Sequence, residues 1–152
     1  MPRAAPQKKQ RSYYSGKKRR HTHKIQIVVD KATGRIICVA FCKGRKHDFR
    51  LFKESKTRIL SAILSITDSG YQGIAKLHAK SLLPKKNTKK NPLTKQEKAS
   101  NRAVSSQRVL NENVIALLKR FRILDDKYRN RRKRFNLRFS LIAGICNYEL
   151  IS

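Results

Sequence analysis

Hydrophobic residues along this chain fall in bunches whose period changes. Ile25-Gln26-Ile27-Val28-Val29-Asp30 and Arg35-Ile36-Ile37-Cys38-Val39-Ala40-Phe41 are β-branched runs joined by Lys31-Ala32-Thr33-Gly34, a pattern that predicts a β-hairpin. Asp48 to Lys56, with Phe49, Leu51 and Phe52, suits a short helix. Ile59 to Ile66 fits either a buried strand or a continuation of that helix, and periodicity leaves both open. Asp68 then stands where a strand would end, Gln72 to His78 reads as a short helix, and Ser81-Leu82-Leu83-Pro84 as an edge strand stopped by its proline. Residues 84–98 hold six lysines and two prolines, which marks a solvated loop or linker. A longer helix follows, from about Thr94 or Ser100 to Phe121, with Leu110, Val114, Leu117, Leu118 and Phe121 recurring on one face. An apolar helix from Phe135 to Leu150 closes the pattern, and no internal repeat is visible.

Charge changes this picture more than composition does. Against 38 Lys and Arg there are 9 acids, a formal net charge of +29 on 152 residues. Such a chain repels itself and is expected to work against a polyanion, with nucleic acid ahead of a membrane surface. No apolar run approaches the roughly 20 residues of a spanning helix and no signal-type core follows Met1, so the expectation is a soluble, cytoplasmic protein with no membrane partner. Residues 1–24 carry nine cations and no acid, a segment too polar to fold alone, which leaves 25–152 as the folded unit. Tyr13 and Tyr14 could stack on bases or pack on the domain. Lys127-Tyr128-Arg129-Asn130-Arg131-Arg132-Lys133-Arg134 is dense enough to track a phosphate backbone. Cys38, Cys42 and Cys146 lack metal-ligand spacing and read as small buried hydrophobes. The four histidines lack it too and read as surface or hydrogen-bonding groups, although His47 beside Asp48 could join a site.

In so basic a chain the few carboxylates are the informative residues. Projected at 100° per residue, Ser105, Arg108, Glu112 and Lys119 share a stripe of the long helix, flanked by Val109, Ile115 and Ala116. A Glu bracketed by two cations and edged by apolar residues fits the rim of a cation site; an Arg108–Glu112 surface ion pair is the ordinary alternative. Asp68, in Asp68-Ser69-Gly70-Tyr71-Gln72-Gly73, either caps a turn or sits in a groove that the two glycines leave open.

Asp68-Ser69-Gly70-Tyr71-Gln72-Gly73, the Arg108, Glu112 and Lys119 spacing, and Tyr128-Arg129-Asn130-Arg131-Arg132 together resemble the catalytic core of bacterial insertion-sequence transposases of the DDE class. Tyr13-Tyr14-Ser15-Gly16-Lys17-Lys18-Arg19-Arg20 and Lys46-His47-Asp48-Phe49 resemble the same proteins. The resemblance implies an α/β, ribonuclease-H-like fold, a mixed sheet flanked by helices. It implies two Mg²⁺ (or Mn²⁺) ions held by acids, which activate a nucleophile and stabilise the leaving oxygen in phosphoryl transfer. Asp68 would be the second metal-binding acid and Glu112 the third. DNA, as transposon ends and target, would be met by Arg108, Lys119, Lys17, Lys18, Arg19, Arg20, Arg129, Arg131 and Arg132.

Two departures bear on activity. The position three before Arg108, a Tyr in these transposases, is Ser105, and their first catalytic Asp would lie upstream, where Met1 to Arg11 contains no acid. Asp30 sits at the hairpin turn and is no substitute. The expectation is therefore an incomplete catalytic domain with its first strand missing, marginally stable, inactive alone, and partnered by an upstream transposase half or by a second copy. The competing expectation is a non-catalytic basic nucleic-acid-binding protein.

Overall fold

The computed structural model describes residues 13–15, 20–125 and 134–150. The basic runs Lys17-Lys18-Arg19 and Lys127–Lys133, with Arg129, Arg131 and Arg132, lie outside the described residues, and of Arg20 only the backbone is described.

A small antiparallel pair, β1 (Tyr14–Ser15) and β2 (Arg20–His21), precedes the hairpin. The hairpin strands are β3 (His23–Val29) and β4 (Ile36–Lys43), paired from His23↔Lys43 to Val29↔Ile36 with one irregularity at Val28/Val29. It is the element expected, extended to His23 at one end and Lys43 at the other. Its turn is built on Asp30, whose carboxylate accepts from Ala32 N at 3.2 Å and Thr33 Oγ1 at 2.5 Å, while Gly34 takes φ 73°. The Thr33 hydroxyl bond, with the Ala32 amide, holds the Asp30 carboxyl below its usual range. This acid is a turn former, as its place in the sequence implied.

The helix α1 (Asp48–Glu54) buries Leu51 and Phe52. The run from Ile59 to Ile66 departs from both readings of it. Residues 57–64 form an irregular segment exposing Leu60, Ile63 and Leu64, and only β5 (Ser65–Ile66) is strand. Its partner, the parallel β6 (Ser81–Leu82), is equally short, so two registers of pairing are all that this run acquires. Gln72–His78 is likewise not a regular helix: Gly73, at φ 96°, leads into a single 3₁₀ turn, Ile74–Lys76.

The expected single mixed sheet is not what the described residues form. They make three two-stranded sheets, with β3 and β5 each hydrogen-bonded to one neighbour. The mixed α/β class stands; β3–β4 and β5–β6 are separate pieces because no strand joins them.

Helix α2 (Lys95–Gln107) begins at Thr94, whose hydroxyl accepts from Glu97 N while the Glu97 carboxylate accepts from Thr94 N, a reciprocal capping box. The Lys-rich loop therefore ends at Thr94. It is tied down rather than loose: the Asn101 side chain bonds both the N–H and the C=O of Lys85, and Lys85 pairs with Glu97. The long helix expected through Phe121 is broken at Arg108, where Arg108 N donates back to Ser105 O at 2.9 Å, and α3 (Val109–Lys119) starts afresh. A short helix α4 (Arg122–Asp125) and then α5 (Phe135–Glu149) complete the chain.

The main core gathers Ile36 of β4, Val114 and Leu118 of α3, and Phe135, Phe139, Ile142, Ala143 and Cys146 of α5. Each of these larger side chains contributes roughly 1.5–3 kcal/mol by leaving water. Cys146 is fully buried as anticipated, and burial pushes its thiol pKa up, whereas Cys38 and Cys42 are only half-buried. Asn147 links the helix to the hairpin: its Oδ1 accepts from Ile36 N at 2.8 Å and its Nδ2 donates to Ile36 O at 2.9 Å. No helix among the described residues is long and apolar enough to cross a membrane.

Candidate active site

Asp68 stands two residues beyond β5 and opens a 3₁₀ turn, Ser69–Tyr71, by accepting from Ser69 N at 2.6 Å. The sequence around it is dictated by what lies underneath, which is α1. A Cβ on Gly70 would sit 2.9 Å from Asp48 Oδ2, and one on Gly73 would sit 3.1 Å from the Phe49 ring, so both glycines let the turn lie directly on the helix. Asp48 is in turn fixed by Lys24 Nζ at 3.2 Å. Tyr71 pins the turn to the hairpin: its hydroxyl reaches Gln26 Oε1 at 3.4 Å and its ring meets Phe52 edge-on at 6.2 Å. Burial, reinforced by the Asp48 and Asp68 carboxylates, pushes the Tyr71 hydroxyl pKa up to about 12.

Arg108 ties this turn to the helices. Its Nη1 lies 3.3 Å from Asp68 Oδ1, and its own carbonyl accepts from Asn111 N at 2.9 Å and Glu112 N at 3.4 Å. The bland reading of Arg108, an ion pair along one helix to Glu112, is thus not the pairing formed. The helix break turns the guanidinium toward Asp68 and leaves Glu112 exposed in the first turn of α3, where the helix dipole favours a negative charge. The stripe of Ser105, Arg108, Glu112 and Lys119 is interrupted for the same reason. Lys119 remains on α3 with Glu112, two turns along and exposed.

Asp48, paired with Lys24 and lying where a side chain on Gly70 would fall, is an acid that the sequence does not tie to Asp68. His47 is exposed and its side chain makes no cap bond to α1. Of the other histidines, His78 is buried with a ring nitrogen 2.7 Å from Ile63 O, and His23 stacks on Phe135 at 4.5 Å. Tyr13 packs on the domain, edge-on to His23 and under Lys43 Nζ.

A pair of divalent ions needs more oxygen ligands than this arrangement supplies. Among the described residues no three His, Cys, Asp or Glu side chains gather as a metal site, and one oxygen of Asp68 already faces a guanidinium. The acids present do not fit a complete two-ion centre.

The chain is thus mixed α/β, with an acid just past a strand end paired to Arg108 and a second acid, Glu112, exposed in the first turn of the helix that follows Arg108. Residues 1–147 match the model of the DDE superfamily endonucleases, and the chain belongs to that family. Over 149 residues it is 47% identical to the probable transposase for insertion sequence element IS702 of Microchaete diplosiphon. That alignment covers 98% of this chain and 54% of the relative, so the chain spans about half the length of the curated relative it matches. No solved structure matches it. Members of this superfamily generally use divalent metal ions.

Proposed function

We propose that this chain is the part of an insertion-sequence transposase catalytic domain that carries the second and third acids, Asp68 and Glu112, of a DDE triad. In a complete enzyme Asp68 and Glu112, with a further acid, would hold Mg²⁺ or Mn²⁺, which would supply nucleophile activation and charge stabilisation at the DNA phosphate, and the reaction would be end cleavage followed by strand transfer in the cytoplasm, at the nucleoid. The observation that supports the reading is the 3.3 Å contact of Arg108 Nη1 with Asp68 Oδ1, which joins the Asp68 turn to the residue preceding the helix that bears Glu112. Arg108, paired with Asp68, orients that carboxylate and would meet DNA phosphate. Lys119, with Lys17, Lys18, Arg19, Arg20, Arg129, Arg131 and Arg132, meets DNA phosphates. The two halves of the sheet belong to one ribonuclease-H-like sheet once the absent strand lies between them.

The chain alone is expected to bind DNA with steep salt dependence, each neutralised phosphate contributing about 0.9 to the slope of log K against log salt, and to cleave nothing. The test fuses to this chain the portion of the Microchaete diplosiphon relative that has no counterpart in it, and assays nicking of transposon-end DNA with Mg²⁺. Activity that Asp68→Asn and Glu112→Gln each abolish supports the reading. Activity indifferent to both refutes the roles given to Asp68 and Glu112, and an inert fusion that still binds DNA favours the non-catalytic nucleic-acid-binding alternative.

A further inference from the structure

Helix α5 is apolar on two opposite sides. One side, with Phe135, Phe139, Ile142 and Cys146, is the core. The other carries Leu137, Leu141 and Ile145, spaced four apart and 70%, 65% and 41% exposed. A helix that is apolar all round is ordinarily covered all round. Gly144 lies in this outer side, and a Cβ built on it would meet nothing within 4 Å. Nothing among the described residues therefore requires a glycine there, although glycine is a poor helix former. A glycine flanked by leucine and isoleucine on an open face is suited to close approach of another backbone.

The charge pattern says what class of molecule approaches. In a chain with 38 Lys and Arg, the 15 residues of α5 include one, Arg138, at the edge of the outer face, three residues before Leu141 and seven before Ile145. An apolar face with a single cation at its edge is not built to track phosphates, which the rest of the molecule is equipped to meet. A second copy would bring another +29 charges to the interface, which opposes self-association. The matched relative, by contrast, has close to half its length beyond the aligned part. We infer that the outer face of α5, formed by Leu137, Leu141, Gly144 and Ile145, is the docking surface for the portion of the transposase that this chain's relative carries in addition, held there as a protein–protein core contact.

This rests on the proposed function only in taking the complete enzyme to be larger, and its test reads binding rather than catalysis. The polypeptide made of the unaligned portion of the Microchaete diplosiphon relative is titrated into the 152-residue chain and the affinity measured by calorimetry, with light scattering for stoichiometry. The expected result is a one-to-one complex that Leu141→Glu weakens at least ~10-fold, within the range of central interface residues. Gly144→Leu should weaken it similarly while leaving the thermal midpoint of the free chain unchanged or raised, because the new side chain enters open space. Equal binding by both variants would overturn the assignment and leave the catalytic reading standing. So would a complete lack of binding, or a homodimer of the wild-type chain that Leu141→Glu dissolves.

Discussion

Replacing Asn147 by Ala should be among the most damaging single changes outside the apolar core. The side chain does for β4 what a neighbouring strand would do, bonding both the N–H and the C=O of Ile36, a residue only 7% exposed. Two net hydrogen bonds amount to about 1–3 kcal/mol, and leaving a buried backbone donor and acceptor with partial water access raises the loss to roughly 2–4 kcal/mol. For a chain of this length that corresponds to a fall of about 5–12 °C in Tm. Asn147→Asp should also destabilise, since it retains an acceptor for Ile36 N–H but sets an oxygen against Ile36 C=O. The assay is urea unfolding followed by circular dichroism, with Asn136→Ala, exposed on the same helix, as the control expected to stay within about 0.5 kcal/mol of wild type. If Asn147→Ala unfolds at the same urea midpoint as that control, the side chain is not a structural bond between α5 and the hairpin.

Other expectations concern the turn that holds Asp68. Gly73→Ala should cost about 1–2 kcal/mol, because φ 96° is closed to L residues and the Phe49 ring blocks the new methyl. Gly70→Ala should cost less, since its clash is with the Asp48 carboxylate, which can swing at the expense of the Lys24 pair; urea midpoints in the reverse order would contradict this reading of the motif. Tyr71, with its folded pKa raised to about 12 above the ordinary 10.0, keeps its proton longer in the folded chain than in the unfolded one. Its contribution is intact below pH 10 and is lost as pH rises from there through about 12, so the wild type should lose more stability over that window than Tyr71→Phe. Unfolding free energies of the two proteins at pH 9 and above should diverge accordingly, and parallel curves would refute the assignment.

The hairpin was legible because two β-branched runs around Asp30 and Gly34 leave few other structures open to them. The core face of α3 was legible in the spacing that includes Val114 and Leu118, whereas α5 was legible only as an apolar helix, its composition leaving open which side is the core. The break at Arg108 was not legible, since nothing in the residues from Ser105 to Glu112 is a helix breaker and the partner Arg108 takes, Asp68, is remote in sequence. The exposed run around Leu60 and Ile63 was misread for a related reason. Its composition is that of a buried strand, and burial requires a neighbour that periodicity within the run cannot supply. Asp68 and Glu112 stood out through their rarity among cations, whereas Asn101 and Asn147 act through backbone groups, and Asp48 through the Lys24 side chain, all remote in sequence and without a local signature.

The separation of β3–β4 from β5–β6 sets the two acids on parts of unequal permanence. Glu112 rises from α3, whose Val114 and Leu118 lie in the main core, while Asp68 hangs from a strand pair two residues long beside exposed Leu60, Ile63 and Leu64. Amide hydrogens at Ser65 and Thr67 should exchange orders of magnitude faster than those of Ile27 or Leu118, because a two-residue ladder opens without the core opening. The distance between the acids is thus a fluctuating quantity, held by one ion pair whose carboxylate is more than half exposed. On the proposed reading, a strand that joined the two pairs would act as an ordering agent for Asp68 alone, and assembly and activation would be the same event.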